Sequence, residues 1–588
     1  MKIDTLKLST FAIILIAVLT VQARATDEKP VRHQETRRLE ASVASAPGRT
    51  LFVDETQADL TITGYSGNEI RTEVHLEVRG RDEELVTAFA DETTLILEPY
   101  RQGFRLAVDY PDWNSRRNAG SVTRIFRKLF DGNNDDLSFS IQISVQVPAE
   151  QSLDVVNQYG DIKIDGVTGT LEIENTSGAV SVQTCGGALN LANQYASVDV
   201  SDFKGEVDVT NTSGDVTLKR IIGGAEVVNS YKAVRFEAIG GPLHVDCQSG
   251  DVKGTDVEGN CSIEASYKQI EVSNIRGRLD VKGPSCSVSA GLISGDAVIE
   301  NSYKQVVVDS VGGTLEIHGD SSPVTVSRIA SNVSIESSYK DIRVERVDGG
   351  LTIRGDSSPV DVSQVQRDVS VFTSYKPVEI NTVGGSVDVD GASCPVTVRD
   401  IEGGLTIVSS YKEVIAENIG GQCTIRASSG SVTANTIGGN VTVFSEYKPI
   451  QLSHVNGDVD VDGASCSVQA SDVGGDVRVV NSYQYVILKG TRGSIRVQGD
   501  SSPIDVSEIA ALPQKGTIEL ITSYKPISLI LPRNADVAVS ANSEYGKIVS
   551  DFPIYLQGEG VRQIPVDAES KAVRVRLETS ANITVRTK

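Results

Sequence analysis

Ten tyrosines recur along this chain at a constant spacing of 36 residues: Tyr159, Tyr195, Tyr231, Tyr267, Tyr303, Tyr339, Tyr375, Tyr411, Tyr447 and Tyr483. Midway between them stand ten serines, 18 residues from each neighbour: Ser177, Ser213, Ser249, Ser285, Ser321, Ser357, Ser393, Ser429, Ser465 and Ser501. No insertion disturbs the count. A period held this strictly leaves few folds open. A unit of 18 residues is too short to bury a core by itself, so it must lie against its neighbours. The chain must therefore wind as a solenoid, one turn per repeat.

With the Tyr or Ser taken as position zero, the turn at Tyr303 has apolar residues at +3, +5, +8, +12 and +14: Val306, Val308, Val311, Leu315 and Ile317. The next turn repeats them as Val324, Val326, Ile329, Val333 and Ile335. The first two and last two of each set alternate with polar residues, the pattern of two half-buried strands. The expected fold is all-β: a right-handed parallel β-helix (β-solenoid) of about twenty 18-residue coils with a small β-rich N-terminal cap. The right hand follows from the preference of parallel crossovers. Position +10 is Gly in seventeen of the twenty turns, with Ser331, Arg367 and Ala511 as exceptions. Such regularity predicts a tight corner with positive φ.

Tyrosines on every turn would stack about 4.8 Å apart; on alternate turns they are about 9.6 Å apart, with Ser between. Large over small predicts a half-buried Tyr row whose hydroxyls reach water or backbone. The rival reading is a row of aromatic platforms for sugar rings, which full exposure of the rings would favour. Lys follows Tyr in seven consecutive 36-residue repeats: Lys232, Lys268, Lys304, Lys340, Lys376, Lys412 and Lys448. This stripe either reads a periodic anionic polymer, such as an acidic polysaccharide, or is a solvated row partly paired with acids such as Asp320 and Asp356.

The net charge of −23 argues against a nucleic-acid partner, because phosphate binding needs a basic face. Seven cysteines form no disulfide framework. Cys286, Cys394 and Cys466 share one repeat position many turns apart, beyond bridging distance. Cys185, Cys261 and Cys423 stand where other turns have Val, Ile or Leu, and Cys247 lies near a corner. Small buried hydrophobes are expected.

Residues 1–25 read as a signal peptide: Lys2 and Lys7, an apolar Phe11 to Leu19, and the small-x-small Ala23-Arg24-Ala25. Cleavage near Ala25 would deliver a chain without a transmembrane segment to the periplasm, the cell surface or the medium. No lipoprotein cysteine follows the apolar core. Residues 26–48 are expected as a flexible leader, and 49–140 as an N-terminal β-rich capping domain. Within it, 110–136 is a basic loop carrying Trp113, Arg116, Arg117, Arg124, Arg127 and Lys128. That loop is either an amphipathic contact with an anionic surface or partner, or solvated. The solenoid spans 141–523, and residues 524–588 are expected as irregular coils and a C-terminal cap. Just before that boundary the spacing slips by five residues, between Ser501 and the next Ser-Tyr-Lys at Tyr524.

Val145-Gln-Val-Pro148, Leu153-Asp-Val, the recurring Ser-Gly-Asp-Val at Ser213 and Ser249, and Leu529-Ile-Leu-Pro with Tyr545-Gly-Lys-Ile carry a resemblance. Together they resemble the bacterial putative-adhesin family of β-strand-repeat proteins, over roughly residues 50–588. The resemblance implies an exported parallel β-helix and offers no catalytic residues to carry over. The Tyr/Ser alternation and the Lys row depart from the simpler pattern of that family.

Solenoid enzymes build clefts from loops between coils, and none interrupts Tyr159 to Ser501. His33, His75, His244, His318 and His454 fall at unrelated repeat positions. The Gly-Gly-x-Gly-x-Asp calcium pattern is absent. The expectation is therefore an exported, non-enzymatic β-solenoid without cofactor or metal, binding a surface or polysaccharide through its side wall. An envelope scaffold or partner-binding protein acting through its ends is the alternative. A carbohydrate-active enzyme is the weaker one.

Overall fold

The computed structural model describes residues 32–45, 48–111, 137–512, 516–551, 554–556 and 573–588. The signal-like segment and Trp113, Arg116, Arg117, Arg124, Arg127 and Lys128 lie outside the described residues. Two compact units emerge: a smaller one drawn from residues up to Leu39, 74–95 and 108–141, and a larger one of 40–73, 96–107 and 142–588. The smaller unit holds the helix Glu83–Glu92, capped by the Asp82 carboxylate, which accepts the Leu85 N–H at 3.2 Å. The helix buries Leu85, Val86, Phe89 and Ala90, and the Phe89 ring lies 5.0 Å from that of Phe139.

The larger unit is a parallel β-solenoid of about twenty turns. Each turn contributes one strand to each of two sheets. In the turn at Tyr303 these are Val306–Val311 and Leu315–Asp320. Between Leu153 and Ile504 the strands pair in parallel with residues 18 positions on: Val306 with Val324, Val308 with Val326, Leu315 with Val333 and Ile317 with Ile335. The side chains at +3, +5, +8, +12 and +14 are buried throughout. Stacking them turn on turn makes one continuous apolar column, which is why no turn needs a core of its own.

The position of the bend differs from expectation. From Gly166 to Glu508 all twenty +7 residues have φ between 52° and 75°. A strand alternating strictly would turn +7 inward. The left-handed residue inserts one extra outward position, so +8 points in instead, as Val383 does after Thr382. The +10 glycines answer a different demand: apart from Gly187 and Gly205 they lie outside the left-handed region. A Cβ on Gly403 would stand 2.5 Å from the carbonyl oxygen of Gly385, one turn back. Close approach of neighbouring backbones, rather than φ, selects Gly there.

Both ends of the ladder are stacked out of chain order. At the N-terminal end, Leu51 pairs with Leu153 on one side and Phe104 on the other, and Leu60 with Ile162 and Ile143. At the C-terminal end, the five-residue slip is accommodated as Ile495 pairs with Ile518 and Ile504 with Ile527. The last strands, Val573–Thr579 and Ile583–Thr587, then insert between Gly516–Leu531 and Val537–Ser550. Neither pair of inserted strands is left as an open sheet edge.

Candidate functional site

The corner at position zero carries the residues that the periodicity singles out, and it is built in two alternating ways. In Tyr turns other than that of Tyr267, where it is Ala265, the residue at −2 is a buried polar side chain, and several of these reach back one turn. Ser337 Oγ donates to the Ser322 carbonyl at 2.8 Å, Ser409 Oγ to Cys394 at 2.9 Å, and Asn481 Nδ2 to Cys466 at 2.7 Å. In Ser turns from Ser285 onward, apart from Ser429, the −2 residue is Gly and the +1 side chain turns inward. Cys286, Ser322, Ser358, Cys394, Cys466 and Ser502 occupy that pocket, fully buried. Gly at −2 makes the room, since a Cβ on Gly355 would stand 3.2 Å from the Ser358 Cβ. In-turned +1 side chains on one turn and outward lysines on the next are the physical content of the Tyr/Ser alternation.

All seven cysteines are buried and unbridged. Burial pushes the Cys261 and Cys423 thiols up to about 12, far from reactive thiolates.

The tyrosines are not half-buried. Across the ten, between 57% and 70% of the residue surface is exposed. The backbone beneath them is strained. Tyr303, Tyr339, Tyr375, Tyr411, Tyr447 and Tyr483 have φ between 62° and 69°. At Tyr375 the Lys376 N–H donates to the Ser374 carbonyl at 2.8 Å, closing a three-residue turn with Tyr at its tip. Lys304, Lys448 and Gln484 close the same turn around Tyr303, Tyr447 and Tyr483. A bulky side chain in the left-handed region costs roughly 1–2 kcal/mol. Neither burial nor backbone geometry favours Tyr here.

All seven row lysines are exposed, and among the described residues none forms an ion pair, with Asp320, Asp356 or any other acid. Lysines that do pair lie on the strands: Lys253 with Glu271 at 3.0 Å and Lys282 with Glu264 at 3.2 Å. Beside the Tyr corner, an open groove of about 1640 Å³ runs over the second sheet from Asp246 to Ala392. Several of its charges are matched internally: Arg354 with Glu336 at 3.6 Å, and His318 with Glu336 at 3.3 Å and Glu316 at 2.9 Å. Burial pulls the His318 pKa down, but the two glutamates outweigh it and raise it overall. Its lining still carries seven acids against Lys282, Arg354 and His318, so the groove is net acidic beside the Lys row.

Many of the acids behind the negative net charge have structural work. Asp296 Oδ1 accepts the Thr314 N–H at 2.7 Å, Asp368 that of Ser386 at 2.7 Å, and Asp476 that of Ser494 at 2.7 Å, each 18 residues on. Asn260, Asn332 and Asn440 do the same. On the Tyr corner, Asp161 and Asp215 cap Ala179 and Ala233 at 2.8 and 3.1 Å. These side chains satisfy corner N–H groups that no strand pairs. Among the described residues no group of three or more His, Cys, Asp or Glu is placed to hold a metal ion. No described helix is long and apolar enough to cross a membrane.

Neither a protein-family profile nor a curated protein matches the chain. Among solved structures, that of a putative adhesin from Bacteroides fragilis NCTC 9343 is similar, with 13% identity and a TM-score of 0.20. The similarity covers 48% of this chain and 97% of that one.

Proposed function

We propose that the protein is an exported, non-catalytic adhesin that holds an extended polymer, a polysaccharide or other cell-surface component, along its Tyr–Lys corner. The observation that carries this reading is the state of the tyrosines. Single exposed aromatics are ordinary on any surface, but ten in register on one edge are not. Six of them sit in a backbone conformation that Gly or Asn would adopt more readily. Strain retained at one repeated position, with no packing in return, points to a demand from outside the fold. Unpaired lysines beside those rings, on a chain of net charge −23, supply local attraction for an anion.

A glycan-array and cell-surface binding screen tests the reading. The native chain is compared with one carrying Tyr303→Asn, Tyr339→Asn, Tyr375→Asn and Tyr411→Asn. Binding that the four substitutions abolish, with the fold intact by circular dichroism, is the expected result. Equal binding by both chains would move the function off this corner, toward the ends of the ladder.

A further inference from the structure

We infer that the bound polymer is an acidic glycan with an anionic group on every second sugar, lying along the stacking direction of the coils. This rests on the side-wall reading above and specifies its ligand. The argument is one of pitch. The lysines recur every second coil, about 9.6 Å apart. The intermediate coils offer no cation to fill the step, because at Cys286, Ser322, Ser358 and Cys394 the +1 side chain is turned into the core. The row therefore presents one positive charge per two coils. Duplex DNA carries a charge about every 1.7 Å, so a nucleic acid would leave most of its phosphates unmatched against an acidic chain.

The intermediate step does more than lack a cation. Just before the serine, two of these turns expose an acid, Asp320 and Asp356. A polymer with a carboxylate on each sugar would set every second carboxylate near these positions, a built-in penalty against the wrong ligand. A sugar in an extended β-linked chain advances by close to one coil. Two sugars then span one Tyr-to-Tyr step: the acidic one beside Lys, the neutral one over the half-buried Ser. Each Tyr ring offers a flat face of the kind that packs against the apolar face of a sugar. Single dyads bind weakly. Seven in line act by avidity, so affinity grows with chain length.

The test is calorimetric titration of the purified chain with four probes of matched length. They are hyaluronan oligosaccharides (acid on alternate sugars), oligogalacturonate (acid on every sugar), neutral cello-oligosaccharides, and poly-L-glutamate. The alternating probe should bind best, with affinity rising as disaccharides are added. Lys304→Ser, Lys340→Ser and Lys376→Ser together should weaken it about tenfold. Asp320→Ser with Asp356→Ser should selectively improve oligogalacturonate. If oligogalacturonate or poly-L-glutamate binds as tightly as hyaluronan, the alternation match is wrong while side-wall binding stands. If all four fail but the cell-surface screen still depends on the tyrosines, the ligand is not an acidic glycan. If that screen is negative too, both readings fall.

Discussion

From Ser285 to Ser501 every coil but that of Ser429 bends twice through the left-handed region, and the two bends treat sequence differently. The +7 row is left-handed in all twenty turns, yet it holds eleven residue types, from Gly and Asn to Thr, Arg and Leu. The zero row is left-handed in twelve turns between Ser285 and Ser501 and admits only Tyr and Ser. Backbone geometry therefore does not fix side-chain identity at such a bend. The +7 row is an internal control: it shows what the fold alone asks for, which is little. The strictness of the zero row has two sources. Ser answers to packing, because its neighbours at −2 and +1 exchange volume. Tyr, more than half exposed in every turn, is not selected by burial.

The comparison breaks most visibly where both rows lose their support. Ile317 is fully buried in the column beneath both bends. Ile317→Ala should cost about 2–5 kcal/mol, measured by guanidinium unfolding, and should disturb both rows alike. A loss confined to one row would mean that the two bends are stabilised independently of the shared core.

Acid acts on a different support, the Asp296 side chain that caps a corner N–H group. The Thr314 backbone N–H and hydroxyl hold the Asp296 carboxyl below its usual range. Its stabilising contribution is complete above the unfolded pKa near ~3.9 and is lost as pH falls through the lower folded value. Asp208 runs the other way, raised by burial and then by Glu226, so acid relieves it. Asp296 and Asp202, the latter held low by its hydrogen bond from Arg220, outnumber it, and thermal stability should fall on acidification below about pH 4. Asp296→Asn should keep the cap, as Asn260 and Asn332 do, and remove its share of the acid sensitivity. An unchanged acid limb would show that this carboxylate does not titrate with unfolding.

A paired substitution sharpens the comparison directly. Thr436 is a β-branched residue at φ 61° in the +7 row, and Tyr375 sits at φ 62° in the zero row. Thr436→Gly and Tyr375→Asn should each be neutral to stabilising by up to about 1 kcal/mol, through relief of the same strain. Their effects on binding should differ: none for Thr436, a measurable loss for Tyr375. Stabilisation of Tyr375→Asn with undiminished binding would leave the strained tyrosines without a purpose.

The ladder itself was legible in the sequence because it depends on side-chain period. Val306, Val308, Leu315 and Ile317 announce two strands, and an unbroken 18-residue count fixes their register. What escaped was set by backbone shape. The bend at +7 has no residue signature, since so many types occupy it, whereas the conspicuous Gly at +10 marks close packing instead. The exposure of the tyrosines is as great in the turns without the left-handed bend as in those with it, and large-over-small packing had suggested the reverse. The −2/+1 exchange was present in the letters, as Gly-x-Ser-Cys or Gly-x-Ser-Ser against Ser-Ser-Tyr-Lys. Its meaning needed the knowledge that both positions face one pocket.

The smallest effect expected concerns the lysines and stability. All seven are exposed, and among the described residues none is held by an acid. Replacing Lys304, Lys340 and Lys376 with Ser removes solvated charges from a negative chain and breaks no contact. Exposed changes of this kind stay within about 0.5 kcal/mol. Slight net repulsion from the lost positive charge works against the relief of side-chain ordering, and neither is large. The melting temperature should therefore not move, at low or high salt. A salt-dependent drop would show that the lysines attract acids of their own chain at longer range. The stripe would then be part of the fold's electrostatic balance, and the zero row would lose one of its two outward-looking residues.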